Sequence, residues 1–215
     1  QFFPKHKIVF TGNPVREDIK QIAGKREEAA AFFGMDPGKN TLLVVGGSQG
    51  ARSINRAVRD GLQKLAEQGM QVLWQTGKLF HAEALKAVEE INAPGIRAFD
   101  FITRMDLGYA MADVVVARAG ASTVSELCIA GKPSILVPLP TAAEDHQTKN
   151  CMSLVNKKAA LLVTDIAAGE KLVKEAIALL NDLPHRQKLT ENILPLARPE
   201  AAAEIAQEVL KLIRK

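Results

Sequence analysis

Most of the polar residues whose types and spacing suit ligand chemistry lie between residues 112 and 150. In this stretch an apolar run at 114–117 leads into the small-residue turn RAGAS at 118–122, and a helix-like segment continues to Ala130. A buried strand that opens into a helix through small residues brings backbone N–H groups close to a ligand above the sheet, and a helix N-terminus favours an anion there. The pattern therefore predicts a phosphate-binding turn.

Glu126 lies one turn into the helix that follows this turn. A carboxylate at this position can accept hydrogen bonds from the two hydroxyls of a ribose, as acidic residues do in other nucleotide-binding folds. A second explanation is equally open, because Thr123 and Glu126 have the spacing of a capping box, in which the two side chains close the start of a helix.

A second polar segment, EDHQTKN at 144–150, follows the turn PLPT at 138–141. It offers consecutive hydrogen-bond donors and acceptors, with no apolar residue before Cys151, and such a run suits a ligand with several hydroxyl groups. The alternative is a solvated first turn of a helix.

A second glycine-rich turn, GGSQGAR at 46–52, comes directly after the apolar run 41–45. The helix predicted after it places Ile54, Val58 and Leu62 on one face. The turn matches neither the GxGxxG fingerprint nor the Walker loop, so a dinucleotide or P-loop site is not indicated. It fits either a ligand turn or a simple tight turn.

The segment GNPVR at 12–16 has a pattern typical of a helix start, with Asn13 as the cap and Pro14 as the first helical residue. Arg16 then falls in the first turn, where a cation opposes the helix dipole by about 0.3–1 kcal/mol. Such a local conflict can mark a residue kept for a ligand, and the alternative is an exposed arginine offset by Glu17 and Asp18.

The composition is that of an ordinary folded protein. The chain has 215 residues, 47% hydrophobic and 24% charged, with a net charge of +4, which predicts one or at most two domains. Its apolar runs are far shorter than the roughly 20 residues of a membrane span, so we expect a soluble or peripheral protein.

The basic residues are scattered without interleaved aromatics, so no nucleic-acid partner is expected. Cys128 and Cys151 lack metal-site spacing and predict free thiols in a reducing compartment.

The alternation of apolar runs and helical patterns predicts an α/β fold with a doubly wound parallel sheet. We expect a short strand at 7–11, six strands starting near residues 41, 71, 96, 114, 134 and 160, and three closing helices at 169–181, 184–194 and 199–213.

Five segments, taken in order, resemble the donor-binding half of the MurG family of peptidoglycan N-acetylglucosaminyltransferases, which make lipid II. They are GNPVR at 12–16, VVGGSQGAR at 44–52, FITRM at 101–105, ADVVVARAGASTVSE at 112–126 and PLPTAAEDHQTKN at 138–150. The resemblance implies a Rossmann-like domain, the C-terminal half of a GT-B glycosyltransferase. It further implies one UDP-sugar donor-binding domain over residues 1–215, with 1–12 as an interdomain linker or strand.

The resemblance also implies a role for each matching residue. Ile102 would contact uracil through its backbone, Glu126 would bind the ribose hydroxyls, and Gln147 with His146 beside it would read the sugar hydroxyls. Arg16, Ser48 and the turn from Ala121 to Ser125, with Ser122 and Thr123 in it, would surround the diphosphate. No metal ion or cofactor is implied.

The activity implied is inverting transfer of N-acetylglucosamine from UDP-N-acetylglucosamine to lipid I, on the inner face of the cytoplasmic membrane. The family's GGTGGH-like loop, general base and acceptor surface belong to an N-terminal domain that nothing in this sequence matches, and the chain starts with Gln1 rather than Met. We therefore expect a piece of a longer protein with no catalytic residue of its own. The alternatives are the donor-binding subunit of a two-chain lipid-linked sugar transferase, a UDP-N-acetylglucosamine epimerase of the same architecture, and a non-catalytic nucleotide-binding module.

Overall fold

Six parallel strands form one sheet in the order β3-β2-β1-β4-β5-β6. The computed structural model describes residues 3–47 and 50–213, so Ser48, predicted to contact a diphosphate, lies outside the described residues. The strands are β1 (Thr41–Val45), β2 (Gln71–Gln75), β3 (Ile96–Phe99), β4 (Val114–Ala117), β5 (Ser134–Leu136) and β6 (Leu161–Leu162). The six strands predicted from residue 41 onward are confirmed, and β6 is only two residues long.

Ten α-helices of the described residues cover both faces of the sheet. They are α1 (Glu17–Lys20), α2 (Arg26–Phe33), α3 (Arg52–Glu67), α4 (His81–Ile91), α5 (Met105–Met111), α6 (Ala121–Ala130), α7 (His146–Val155), α8 (Ala168–Asn181), α9 (Leu183–Ile193) and α10 (Ala201–Ile213). The three closing helices begin within two residues of their predicted starts. The apolar face predicted for α3 is also confirmed, because Ile54, Val58 and Leu62 are fully buried.

Alternate residues of the central strands enter two separate cores. Leu42 and Val44 of β1 pack in a core with α3 and α8, whereas Leu43 packs on the opposite face with α2 and α5. Side chains of a strand point alternately to the two faces of its sheet, so a strand covered on both faces must be apolar throughout. This requirement explains the continuous apolar runs of β1 and β4.

The strand expected at 7–11 is wrong. A short 3₁₀ helix covers Lys5–Lys7, and the residues after it have no regular structure up to Arg16. Ile8, Val9 and Phe10 are at least half exposed. Their β-like composition does not produce a strand because no neighbouring strand of the described sheet pairs with them.

The helix start expected at Asn13 is also wrong. The first α-helix begins at Glu17, and Arg16 is its N-cap residue rather than part of its first turn. The Asn13 amide instead donates a hydrogen bond to Ser125 Oγ at 3.0 Å. A contact with a distant element has replaced the local cap, and it attaches the N-terminal segment to α6.

The two cysteines lie in α6 and α7, and both are buried free thiols. Burial raises the pKa of Cys128 and of Cys151 to about 11, so both thiols are protonated and weakly nucleophilic at neutral pH.

Among the described residues, no helix combines the length and apolar content needed to cross a membrane.

Candidate functional site

The strand order reverses direction between β1 and β4, which are neighbours in the centre of the sheet. Val45 is paired with Ala117, so the turns that follow the two strands leave the carboxyl edge side by side. In open α/β sheets the crevice at such a switch point is where ligands bind. The structure thus brings together the two small-residue turns that the sequence singled out.

The turn after β4 ends at the start of α6. Gly120 is the N-cap residue and has an extended backbone, and Ala121 and Ser122 at the first helical turn are exposed. Because glycine has no side chain to cap the helix, the first N–H groups of α6 can bind an external acceptor, and the helix dipole favours an anionic one. This geometry suits a phosphate group.

The turn after β1 packs tightly against the neighbouring strand end. The Gly46 N–H donates to the Gln75 carbonyl at 3.0 Å. Gly50 has φ +78°, and a Cβ there would lie 2.4 Å from the Thr76 carbonyl oxygen. Only glycine tolerates this close approach in the left-handed conformation, so Gly50 serves the packing of this turn.

The capping box proposed for Thr123 and Glu126 is wrong. Thr123 is the third residue of α6 rather than its N-cap. Glu126 Oε2 instead accepts a hydrogen bond from the Tyr109 hydroxyl at 2.9 Å. Burial is the main cause of a raised pKa of Glu126, and the Tyr109 hydrogen bond and the charge of Arg16 act against it. Glu126 is partly buried and bonded through one oxygen, and a carboxylate in this state keeps acceptor capacity for a ligand.

Arg16 acts electrostatically on the same group. Burial is the main cause of the raised pKa values of Glu126 and Tyr109, and the charge of Arg16 opposes both. Arg16 is the N-cap residue of α1, which packs against α6. The side chain is 54% exposed, and its Nε lies 3.4 Å from Asp18 Oδ1. An exposed pair of this kind contributes little to stability, which leaves the guanidinium free to meet an anion.

Ile102 lies beside the ends of β2 and β3. It is buried, and its N–H donates to Gln75 Oε1 at 2.9 Å. A base could therefore bond only to the backbone carbonyl of Ile102. Sequence reasoning missed Gln75, although a polar residue at the end of a fully buried strand was a usable signal.

Two amide side chains hold the segment 138–150 in place, one by a bond within the segment and one by a bond to the turn after β4. Gln147 Oε1 accepts from the Leu139 N–H at 3.0 Å, and Asn150 donates to the Ala119 carbonyl at 3.1 Å. The carbonyl end of Gln147 is thus engaged, and its NH₂ group is the one it can offer to a sugar hydroxyl. Asn150 belongs to the polar segment predicted from the sequence but was given no individual role there, and it connects this segment to the turn after β4.

His146 is the first residue of α7 and is exposed. Its Nδ1 lies 2.7 Å from the Ala143 carbonyl. The two residues before it, Glu144 and Asp145, have φ values of +50° and +54°. Left-handed backbone at two consecutive non-glycine residues is costly and is often found at ligand-binding segments.

Arg118 is a further residue that sequence reasoning missed. Its guanidinium forms an ion pair with Asp165 and donates to Ser53 Oγ at 3.0 Å and to the Val137 carbonyl at 3.1 Å. These bonds connect the ends of β4 and β5 with the first turn of α3. Arg118 therefore holds the two turns of the crevice in a fixed relation. An arginine directly after an apolar strand was the available signal.

Two bacterial transferases are similar in sequence to this chain over nearly its whole length. The chain is 48% identical over 215 residues to the UDP-N-acetylglucosamine–N-acetylmuramyl-(pentapeptide) pyrophosphoryl-undecaprenol N-acetylglucosamine transferase of Parabacteroides distasonis, in a match that covers 100% of this chain and 58% of that protein. It is 50% identical over 213 residues to the protein of the same name from Cytophaga hutchinsonii, with coverage of 99% and 57%. The chain thus spans a little more than half the length of these relatives.

A solved structure and a family model agree with these relatives. The crystal structure of Acinetobacter baumannii MurG superimposes with a TM-score of 0.74 at 25% identity, over 93% of this chain and 57% of that one. The fold is therefore that of the Rossmann-like half of a GT-B glycosyltransferase. The model of the glycosyltransferase family 28 C-terminal domain matches residues 41–209. The chain belongs to the glycosyltransferase family 28 C-terminal domain family.

Proposed function

We propose that this chain is the donor-binding domain of an N-acetylglucosaminyltransferase that uses UDP-N-acetylglucosamine to convert lipid I to lipid II. The observation that carries the proposal is the arrangement at α6, where an uncapped first turn opens at the switch-point crevice and the anchored Glu126 lies one turn further on. Relatives that are 48% and 50% identical are named for this transfer.

In this proposal each part of the donor has its own partner. The diphosphate lies at the first turn of α6 near Arg16, the ribose bonds to Glu126, and the uracil meets the Ile102 carbonyl. Gln147 and His146 face the sugar. The diphosphate contacts proposed from the sequence are Arg16, Ser48, Ala121, Ser122 and Thr123.

The same proposal assigns the whole of residues 1–215 to one donor domain. The segment 1–12 would connect it to an acceptor domain, and the exposed Ile8, Val9 and Phe10 suit a connecting segment that packs against another part of the protein. That domain would supply the general base, bind lipid I and contact the inner face of the cytoplasmic membrane. The donor domain would stabilise the departing UDP through helix N–H groups and Arg16.

We expect the chain to bind UDP and UDP-N-acetylglucosamine at least about 10-fold more tightly than ATP or NAD. A site that hydrogen-bonds specific groups of its ligand rejects analogues that leave those groups unpaired, at about 1–3 kcal/mol for each group. Titration calorimetry with the four compounds measures this preference. Equal binding of ATP and UDP would contradict the proposal.

A further inference from the structure

Tyr109 is fully buried in α5, yet it carries a hydroxyl that needs a partner. The partner is Glu126 Oε2 at 2.9 Å. This bond joins the fixed interior of the domain to the partly exposed carboxylate of the crevice, so Tyr109 can control the position of that carboxylate without touching a ligand.

The helix that carries Tyr109 is firmly held. All seven residues of α5 are buried. At its start, Asp106 accepts hydrogen bonds from Arg104 at 2.9 Å and from Lys25 at 3.3 Å. The Tyr109 hydroxyl is therefore a rigid donor, and a rigid donor fixes the orientation of the flexible glutamate that it bonds.

We propose that Tyr109 is a positioning residue that holds Glu126 Oε2, so that Oε1 is presented to the ribose hydroxyls and the site distinguishes ribose from deoxyribose. This inference rests on the proposed UDP-binding function. An ionised carboxylate accepts several hydrogen bonds, so the bond from Tyr109 does not exhaust it.

The charges around Glu126 provide a second readout. Burial and Asp18 raise its pKa, whereas the Tyr109 hydrogen bond and Arg16 lower it. In Tyr109→Phe one of the two effects that lower the pKa is lost, so the pKa of Glu126 rises further. Because the charged carboxylate accepts stronger hydrogen bonds from hydroxyls than the neutral acid does, the loss of UDP affinity on acidification should begin at a higher pH in this variant.

The test is calorimetry with UDP and 2′-deoxy-UDP from pH 5 to pH 8. For Tyr109→Phe we expect UDP affinity to fall about 5- to 10-fold, since one hydrogen bond to a charged group is lost from the network. The loss should be smaller for 2′-deoxy-UDP, which keeps only one of the two hydroxyls that Glu126 would bind. In a Glu126→Ala background the same substitution should have no further effect on UDP affinity, because the group it positions is absent. Thr190→Val is the matched control, since the Thr190 hydroxyl bonds the Gly131 carbonyl away from this site.

A fluorine label on Tyr109 tests the Tyr109–Glu126 bond without removing the hydroxyl. Tyr109 is the one tyrosine of the sequence, so 3-fluorotyrosine incorporated during expression labels this site alone. Its ¹⁹F resonance should shift when UDP saturates the wild-type chain and should stay unchanged in Glu126→Ala at the same UDP occupancy.

The outcomes separate the two proposals. A wild-type chain that does not bind UDP overturns the proposed function. The next two outcomes apply if UDP binds and Glu126→Ala weakens that binding. The positioning role is overturned if Tyr109→Phe leaves the ribose preference and the pH profile unchanged. It is also overturned if Tyr109→Phe lowers UDP affinity equally in the wild-type chain and in Glu126→Ala. Absence of the ¹⁹F shift in the wild type would also overturn it.

Discussion

Incubated with UDP-N-acetylglucosamine and a lipid-I-like acceptor, the chain alone is expected to form no product above background. Inverting transfer needs a base and an aligned acceptor hydroxyl. A general base contributes about 10²–10⁴-fold, and positioning supplies about 7–11 kcal/mol of the barrier. The proposed donor crevice stabilises the leaving group only, so the chain alone would lack both contributions.

The assay is product formation by the chain alone and after mixing with a separately expressed N-terminal domain from the same family. His146 and Asp145 are the residues near the proposed sugar end that could act as a base, and His146 Nδ1 already lies against the Ala143 carbonyl. His146→Ala is therefore the control variant. Turnover that appears only on mixing supports the donor-domain assignment, whereas turnover by the chain alone that His146→Ala abolishes would refute it.

Glu126→Ala is expected to weaken UDP binding by about 10- to 100-fold. The substitution removes a charged acceptor, and hydrogen bonds to charged groups contribute about 1.5–3 kcal/mol. It also leaves the buried Tyr109 hydroxyl without its partner, so we expect a lower melting temperature as well. Calorimetry and thermal unfolding of the same sample separate the two effects.

Glu170→Ala is the matched control for that variant. Glu170 is an exposed glutamate in the first turn of α8, and its loss should leave UDP affinity unchanged. A Glu126→Ala chain that is less stable but binds UDP as tightly as the wild type would show that Glu126 serves the fold rather than the ligand.

The parallel sheet was predictable because its central strands are covered on both faces. That burial makes β1 and β4 continuous apolar runs, and the amphipathic spacing of Ile54, Val58 and Leu62 marks the helix between β1 and β2. These local patterns indicate buried parallel strands and an amphipathic helix between them. The strand expected at 7–11 had the same composition but no partner, and pairing is a property of the whole fold.

The site was less predictable because its key bonds join residues far apart in sequence. Asn13 and Thr123 both have local capping patterns, yet Asn13 bonds Ser125 and Glu126 bonds Tyr109. A short-range pattern contains no information on whether a distant residue will bond a side chain that could also cap its own helix. The apolar runs followed by small residues located the two turns, and the resemblance to a known family assigned roles to their residues, whereas the supporting roles of Gln75 and Arg118 were recognised in the structure.

The donor-site assignment is tested most directly by mapping where UDP binds, through ¹⁵N–¹H amide shifts of the chain during titration. Saturable changes are predicted at the amides of residues 120–126, at Ile102 and in the turn that follows β1. The groove between Lys132 and Arg186 lies at the amino ends of the strands, opposite the crevice. Its amides provide the comparison and should not change. Changes confined to that groove, or no saturable change at the start of α6, would contradict the assignment of this crevice as the donor site.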